Sequence, residues 1–171
     1  MREHATDDRN LGDARHIVSM QLFEHTWQHG DFWAMVSMPP ERLPHTAREN
    51  AYVLAVLSLE RLERWHAGAV AYNSALSHWP DNFVARMGLG NSRYALGDMP
   101  GAEAAYRRAT QDHPHAGVAF NNLAQVLADQ GRLREAEEAA RQAVRLGGPM
   151  REQFEDTLDQ ILARSSQALN G

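Results

Sequence analysis

Residues 34 positions apart match through two successive steps in this chain. Pro80 and Pro114 are 34 apart, and a Gly148-Pro149 turn falls 34 to 35 residues beyond. Tyr72, Tyr106 and Ala140 form one column at the same step, Ala75, Ala109 and Ala143 a second, and Gly68, Ala102 and Ala136 a third. Small residues that recur in register with turn residues mark a supersecondary unit copied along the chain. Each copy has an apolar face that only its neighbours can cover. Such a chain is expected to work through the surfaces its stack presents, as an interaction scaffold.

Each copy carries the punctuation of two helices. Thr46 followed by Glu49 predicts a capping box, with Pro44 just outside it. Tyr52, Leu59 and Leu62 supply apolar positions for a first helix over 47–63, and Ala69, Tyr72 and Leu76 do so for a second over 65–78. Trp79-Pro80-Asp81-Asn82 stops one helix and caps the next. The second copy, 83–114, has Leu89-Gly90, Gly97, Ala102, Tyr106, Ala109 and Pro114. Gly97 stands where a helix end needs a positive φ, and Asp98 is placed to cap the next helix. Gly90 falls inside a helix at a cost of about 1 kcal/mol against alanine, which implies a facing helix too close for a side chain. The third copy, 117–148, has Phe120, Leu123-Ala124, Gly131, Ala136 and Ala143.

Over about 100 residues these columns resemble the tetratricopeptide repeat (TPR) family, although Arg86 and Arg93 stand where the family usually has aromatic residues. The resemblance implies a mainly α fold of helical hairpins, with repeats over 47–80, 83–114 and 117–148. A capping helix is predicted over 150–165, where Phe154, Leu158, Ile161 and Leu162 make one apolar stripe and Glu152, Glu155, Asp156 and Asp159 cover the rest. The TPR domain then spans 46–165, and 166–171 is a frayed tail.

Residues 1–45 do not follow the repeat. His16, Val18 and Met20 alternate with Ile17 and Ser19 as in a strand, Leu22 to His29 fits a short helix closed by Gly30, and Phe32 to Met38 fits a second strand ended by Pro39-Pro40. The runs Leu22-Phe23-Glu24-His25-Thr26-Trp27, Phe32-Trp33-Ala34-Met35-Val36 and Pro39-Pro40-Glu41-Arg42-Leu43-Pro44 are similar to the end of a papain-like, double-glycine (bacteriocin-processing type) peptidase domain that precedes TPR repeats in some bacterial proteins. That resemblance implies a remnant of a peptidase domain, with the nucleophile, histidine and acidic partner of the family upstream and unmatched here. An orphaned domain edge with Trp27, Phe32 and Trp33 exposed is expected to dimerise or dock on a partner.

Chemistry is sparse in the chain. A net charge of -5 and the absence of any basic block argue against nucleic acid as a partner. The chain has no cysteine, which excludes disulfides, thiolate metal sites and a cysteine nucleophile within it. No apolar run reaches the length of a signal-peptide core or a membrane span, so the expectation is a cytoplasmic protein without membrane insertion, or an exported one if the chain is a fragment of a longer precursor. His25 and His29 have a metal-ligand spacing, but two solvated histidines are the simpler reading, and His113-Pro114-His115 is explained by helix termination. Gly88-Leu89-Gly90 lies inside a helix and not at the strand-to-helix turn that a phosphate loop needs. No Gly-x-Ser-x-Gly elbow or Ser-His-Asp set is visible, and Glu137-Glu138 read as a solvated face. The expectation is a chain with no catalytic residues, metal or cofactor.

In TPR proteins the first helices of successive repeats line an inner groove. By that resemblance Asn91 and Asn122 fall on groove positions. Helical spacing puts Val84, Met87, Asn91 and Tyr94 on one stripe, and Asn121, Asn122 and Gln125 on its neighbour. Apolar contacts, a ring and amides that both donate and accept suit an extended peptide of a protein partner. The basic residues of the family's carboxylate clamp are replaced by Val53, Met87, Val118, Glu152 and Asp156, which argues against acidic chaperone C-termini as partners. The function expected is a non-catalytic scaffold that binds protein or peptide segments in its concave groove. The alternative is the C-terminal, non-catalytic portion of a papain-like cysteine peptidase.

Overall fold

The computed structural model describes Leu43 and residues 47–170, which belong to one compact unit, Met38–Gly171. Seven helices make up the described residues, with no strand among them: α1 Glu49–Arg61, α2 Trp65–His78, α3 Phe83–Ala95, α4 Met99–Asp112, α5 Gly117–Asp129, α6 Leu133–Leu146 and α7 Arg151–Asn170. The first six form three hairpins, each packed on the next, and α7 closes the stack against α5 and α6. The strand-helix-strand expected over 1–45, the residues that carry the peptidase resemblance, His25, His29 and the aromatic edge of Trp27, Phe32 and Trp33 all lie outside the described residues.

Asn82 and Asp98 set the starts of α3 and α4. The Asn82 side-chain oxygen accepts the Ala85 N–H at 2.7 Å, and Asp98 accepts that of Gly101 at 3.0 Å. Gly97 and Gly131, one repeat step apart, both turn at φ +77, a region that other residues enter at a cost of 1–2 kcal/mol, roughly. The start of α1 differs from the expectation. Arg48 is its N-cap without a side-chain hydrogen bond, and Thr46 lies outside the described residues. The Glu49 carboxylate, placed at the first helical position, accepts a hydrogen bond from Asn82 Nδ2 at 2.8 Å. One asparagine thus caps α3 and holds the start of α1. The helix α7 also runs past the expected end at 165, because nothing between Ser165 and Asn170 breaks a helix and the first glycine is Gly171.

The hairpins pack closely because their facing columns are small. Ala102, Ala109, Ala119, Ala124, Ala136 and Ala140 are buried in one core with Met87, Tyr106, Leu123, Leu127 and Ile161. Three rings fit between helices only because a glycine faces them. A Cβ on Gly88 would sit 2.2 Å from the Tyr72 ring, one on Gly90 would sit 2.3 Å from the Tyr106 ring, and one on Gly117 would sit 2.8 Å from Phe154. The close neighbour expected at Gly90 is therefore the Tyr106 ring of α4. Arg86 and Arg93 do turn work in place of the family's aromatics. Arg86 donates to the Pro80 carbonyl and pairs with Asp112 at 3.8 Å, while Arg93 reaches the Gly101 carbonyl at 3.3 Å.

Two outcomes follow for stability. Gly90→Ala should destabilise by about 1–2 kcal/mol, since overpacking outweighs the helix-propensity gain. Tyr106→Ala should lose about 3–5 kcal/mol as an aromatic truncation, and the double variant, which copies the Ala124 and Ala140 pair one repeat later, should lose less than the sum. Urea unfolding of the four proteins gives the coupling; strict additivity would show that the ring and the glycine do not share this space. Secondly, a chain starting at Leu43 should keep helicity and cooperative unfolding, because the repeats lie within their own compact unit. Loss of the cooperative transition would contradict this.

Candidate functional site

The first helices of the hairpins and α7 border one open cleft of about 440 Å³. Its lining includes Glu60 from α1, Trp65 at the start of α2, Asn91, Tyr94 and Ala95 from α3, Tyr106 from α4, Asn121, Asn122 and Gln125 from α5, and Gln153 and Thr157 from α7. Five of the seven sequence-predicted site residues, Asn91, Tyr94, Asn121, Asn122 and Gln125, meet here. Val84 is 43% exposed but does not line the cleft, and Met87 is only 8% exposed, part of the core.

Met87 goes inward because its column does: Val53, one step earlier, and Asn121, one step later, are buried as well. A polar residue has replaced an apolar one in that column. Asn121 is 6% exposed, and its Oδ1 has no hydrogen-bond partner. That oxygen is itself buried, so leaving it unmet costs stability in the free protein. Asn91 uses its carbonyl oxygen within the protein, accepting from the Tyr106 hydroxyl at 2.8 Å and from Asn122 Nδ2 at 3.4 Å. Its amide nitrogen remains available as a donor. Gln125 makes no hydrogen bond within the described residues and keeps a full donor and acceptor set.

Glu60, Trp65, Gln153 and Thr157 were missed from the sequence, and all but Trp65 had a signal. Glu60 is one 34-residue step before Tyr94. Residues 152 and 156, one such step after Val118 and Asn122, are exposed on α7. Gln153 and Thr157, 35 residues on, line the cleft in their place. One extra residue in the turn where Gly147 and Gly148 both have positive φ thus shifts the register of α7 by one and brings an amide and a hydroxyl to the cleft instead of Glu152 and Asp156.

Tyrosine hydroxyls tie the cleft walls together. Tyr72 donates to the Glu60 carboxylate, and burial followed by this bond to an acid pushes its phenol well above the ordinary value. Tyr94 donates to Asp129, which, with burial, pushes its phenol up to about 12. Asp129 also accepts from Arg164 at 3.1 Å, and the same guanidinium donates to the Ala128 carbonyl at 2.6 Å. Residues of α3, α5 and α7 are joined in one chain of bonds, with a cation at the carbonyl end of α5. His113 packs edge-on to Phe83 at 4.9 Å, and its Nε2 lies 3.2 Å from the Asp81 carbonyl, so it links two inter-repeat turns.

A second polar cluster contains none of the cleft residues. Glu103, 8% exposed, accepts from Arg132 at 2.7 Å, from Gln130 at 3.0 Å and from Arg107. Burial pushes its carboxyl up, but the Arg132 and Gln130 bonds and the two arginine charges outweigh this and hold it below the ordinary 4.5. Among the described residues no group of three or more His, Asp or Glu is placed to hold a metal ion, and no helix is long and apolar enough to cross a membrane.

The tetratricopeptide repeat family model matches residues 53–117 and 89–151, more than half of the chain. The chain belongs to the tetratricopeptide repeat family. That match starts after residues 1–45 and lends no support to their peptidase resemblance. No curated protein matches the sequence. Among solved structures, the Sgt2 TPR domain from Aspergillus fumigatus superposes with TM-score 0.67 at 19% identity, covering 74% of this chain and 84% of that one. The Yersinia enterocolitica type III secretion chaperone SycD, in complex with a peptide of the translocator YopD, gives TM-score 0.64 at 16% identity over 71% of this chain and 98% of its own. The first TPR of Spaghetti (RPAP3), bound to the HSP90 peptide SRMEEVD, gives TM-score 0.64 at 16% identity over 72% and 94%.

The buried acid gives a pH dependence with a definite sign. Glu103 has a folded pKa below its unfolded one, so its contribution is complete above the ordinary carboxylate range and fades as pH falls through the lower, folded value. Stability should therefore decline on acidification from roughly pH 5 downward, and Glu103→Gln should flatten that decline. Arg132→Ala should destabilise near neutral pH, since it leaves a buried carboxylate short of a charged donor. Denaturant unfolding across the acid range measures both; an unchanged slope in Glu103→Gln would assign the acid sensitivity to other carboxylates.

Proposed function

We propose that the chain is a non-catalytic scaffold that holds an extended segment of a protein partner in the cleft between α1, α3, α5 and α7. The observation that carries this is the amide lining. Asn91, Asn121, Asn122, Gln125 and Gln153 come from α3, α5 and α7, and side-chain amides match the alternating donors and acceptors of an extended backbone. Specificity then comes from the side chains the segment directs at Trp65 and Tyr94. The SycD and RPAP3 structures hold peptides on the same fold, which favours this use of the cleft over a purely structural stack. The second helices, with their alanine columns buried, hold the amide-bearing helices in place.

A partner segment should lose about 1–3 kcal/mol of binding free energy when Asn91 and Asn122 are both changed to alanine. Because Asn91 also holds the Tyr106 hydroxyl, Gln125→Ala is the cleaner single variant: it has no bond inside the described protein to lose. Calorimetric titration of a peptide selected on the full chain, with helicity followed in parallel, measures both. Unchanged affinity in both variants would place the binding surface elsewhere.

A further inference from the structure

Among the described residues that line the cleft, Glu60 alone is charged. Its half-buried carboxylate accepts from the Tyr72 hydroxyl, which fixes its position, and it forms no ion pair among the described residues. Trp65, five residues on at the start of α2, lines the same cleft. The nearby cations are otherwise placed: Arg61 and Arg64 are exposed and outside the lining, and Arg164 is committed to Asp129 and the Ala128 carbonyl. At the α7 end, the extra turn residue puts Gln153 and Thr157 into the cleft and leaves it without charge.

We propose that the α1 end of the cleft is a cation subsite, and that the partner segment carries an arginine or lysine whose charge sits on Glu60 beside the Trp65 ring, with its backbone running across the amides of α3 and α5. A carboxylate held by a phenol and an indole that lines the same cleft suit a cationic head by ion pairing and cation–π attraction together. The same acid repels a carboxylate-rich segment. The peptide SRMEEVD bound by the RPAP3 domain has two Glu and one Asp, and no cation among the lining residues here would receive them. The inference rests on the peptide-binding reading above and adds the chemistry of the segment.

The test selects binders for the full chain from a phage-displayed library of random, unstructured peptides with blocked ends. The selected sequences should share an arginine or lysine. Replacing that residue by the uncharged isostere citrulline should weaken binding to the wild-type chain about five- to twentyfold, the range for a charge-assisted bond at a half-exposed site. Against Glu60→Gln, which still accepts from Tyr72, the arginine and citrulline peptides should bind alike. If Glu60→Gln does not fold, the comparison of arginine with citrulline on the wild-type chain still decides. A shared acidic residue, or equal binding of arginine and citrulline peptides, overturns the subsite. If those peptides nevertheless lose affinity in Gln125→Ala, the peptide-binding reading survives without it. Peptides indifferent to Glu60→Gln, Gln125→Ala and the Asn91/Asn122 double variant, or no selected binder at all, overturn both.

Discussion

The stack depends on aromatic rings seated on glycine. Tyr72 from α2 and Tyr106 from α4 approach α3 at Gly88 and Gly90, and Phe154 anchors α7 on Gly117. In each case the missing Cβ lets a ring lie against a helix backbone, where dispersion contacts are dense. The two tyrosines have a second role, because their hydroxyls reach the cleft side. Tyr72 fixes Glu60 and Tyr106 fixes Asn91. Helix spacing and cleft chemistry are therefore set by the same side chains, which attach the site to the core.

The 34-residue step made much of this legible. It placed the turns at Asn82, Gly97 and Asp98 and gave Gly90 a close neighbour, since turn and packing residues have few substitutes. Five of the seven candidate cleft residues also lie in one cleft. Met87 shows the limit of a helical stripe: spacing of three and four fixes a face within a wide arc, and the difference between cleft wall and core is a rotation of part of a turn. The contribution of α7 required counting one more residue in the Gly147-Gly148-Pro149 turn. The described start of α1 is Glu49, whose carboxylate is engaged by the distant Asn82, and a local capping pattern carries no information about such a partner.

The polarity of the cleft follows from which charges are already engaged. Glu103, Arg107, Arg132 and Glu135 neutralise one another at the α4–α6 turns, and Asp129 and Arg164 do so between α5 and α7. Glu60 is left with a phenol for company. Among its described lining residues, the cleft thereby presents to a ligand one acid and a row of neutral amides.

The columns at the ring contacts also make the hairpins non-interchangeable. Gly88 receives Tyr72 at the junction of the first two hairpins, whereas the matching position at the next junction is Asn122, and beyond it the tyrosine column ends in Ala140. Each junction thus has its own lock and key, although the backbone unit is the same. A second copy of α1–α2 placed before α3 would bring the first copy's Tyr72 against Leu54, the residue one step before Gly88, whereas a second copy of α3–α4 would again seat a tyrosine on Gly88. The order of the hairpins is in this sense written in the size of two columns, and a pairing that set α5 directly after α2 would bring Tyr72 against Asn122 where it now meets a glycine.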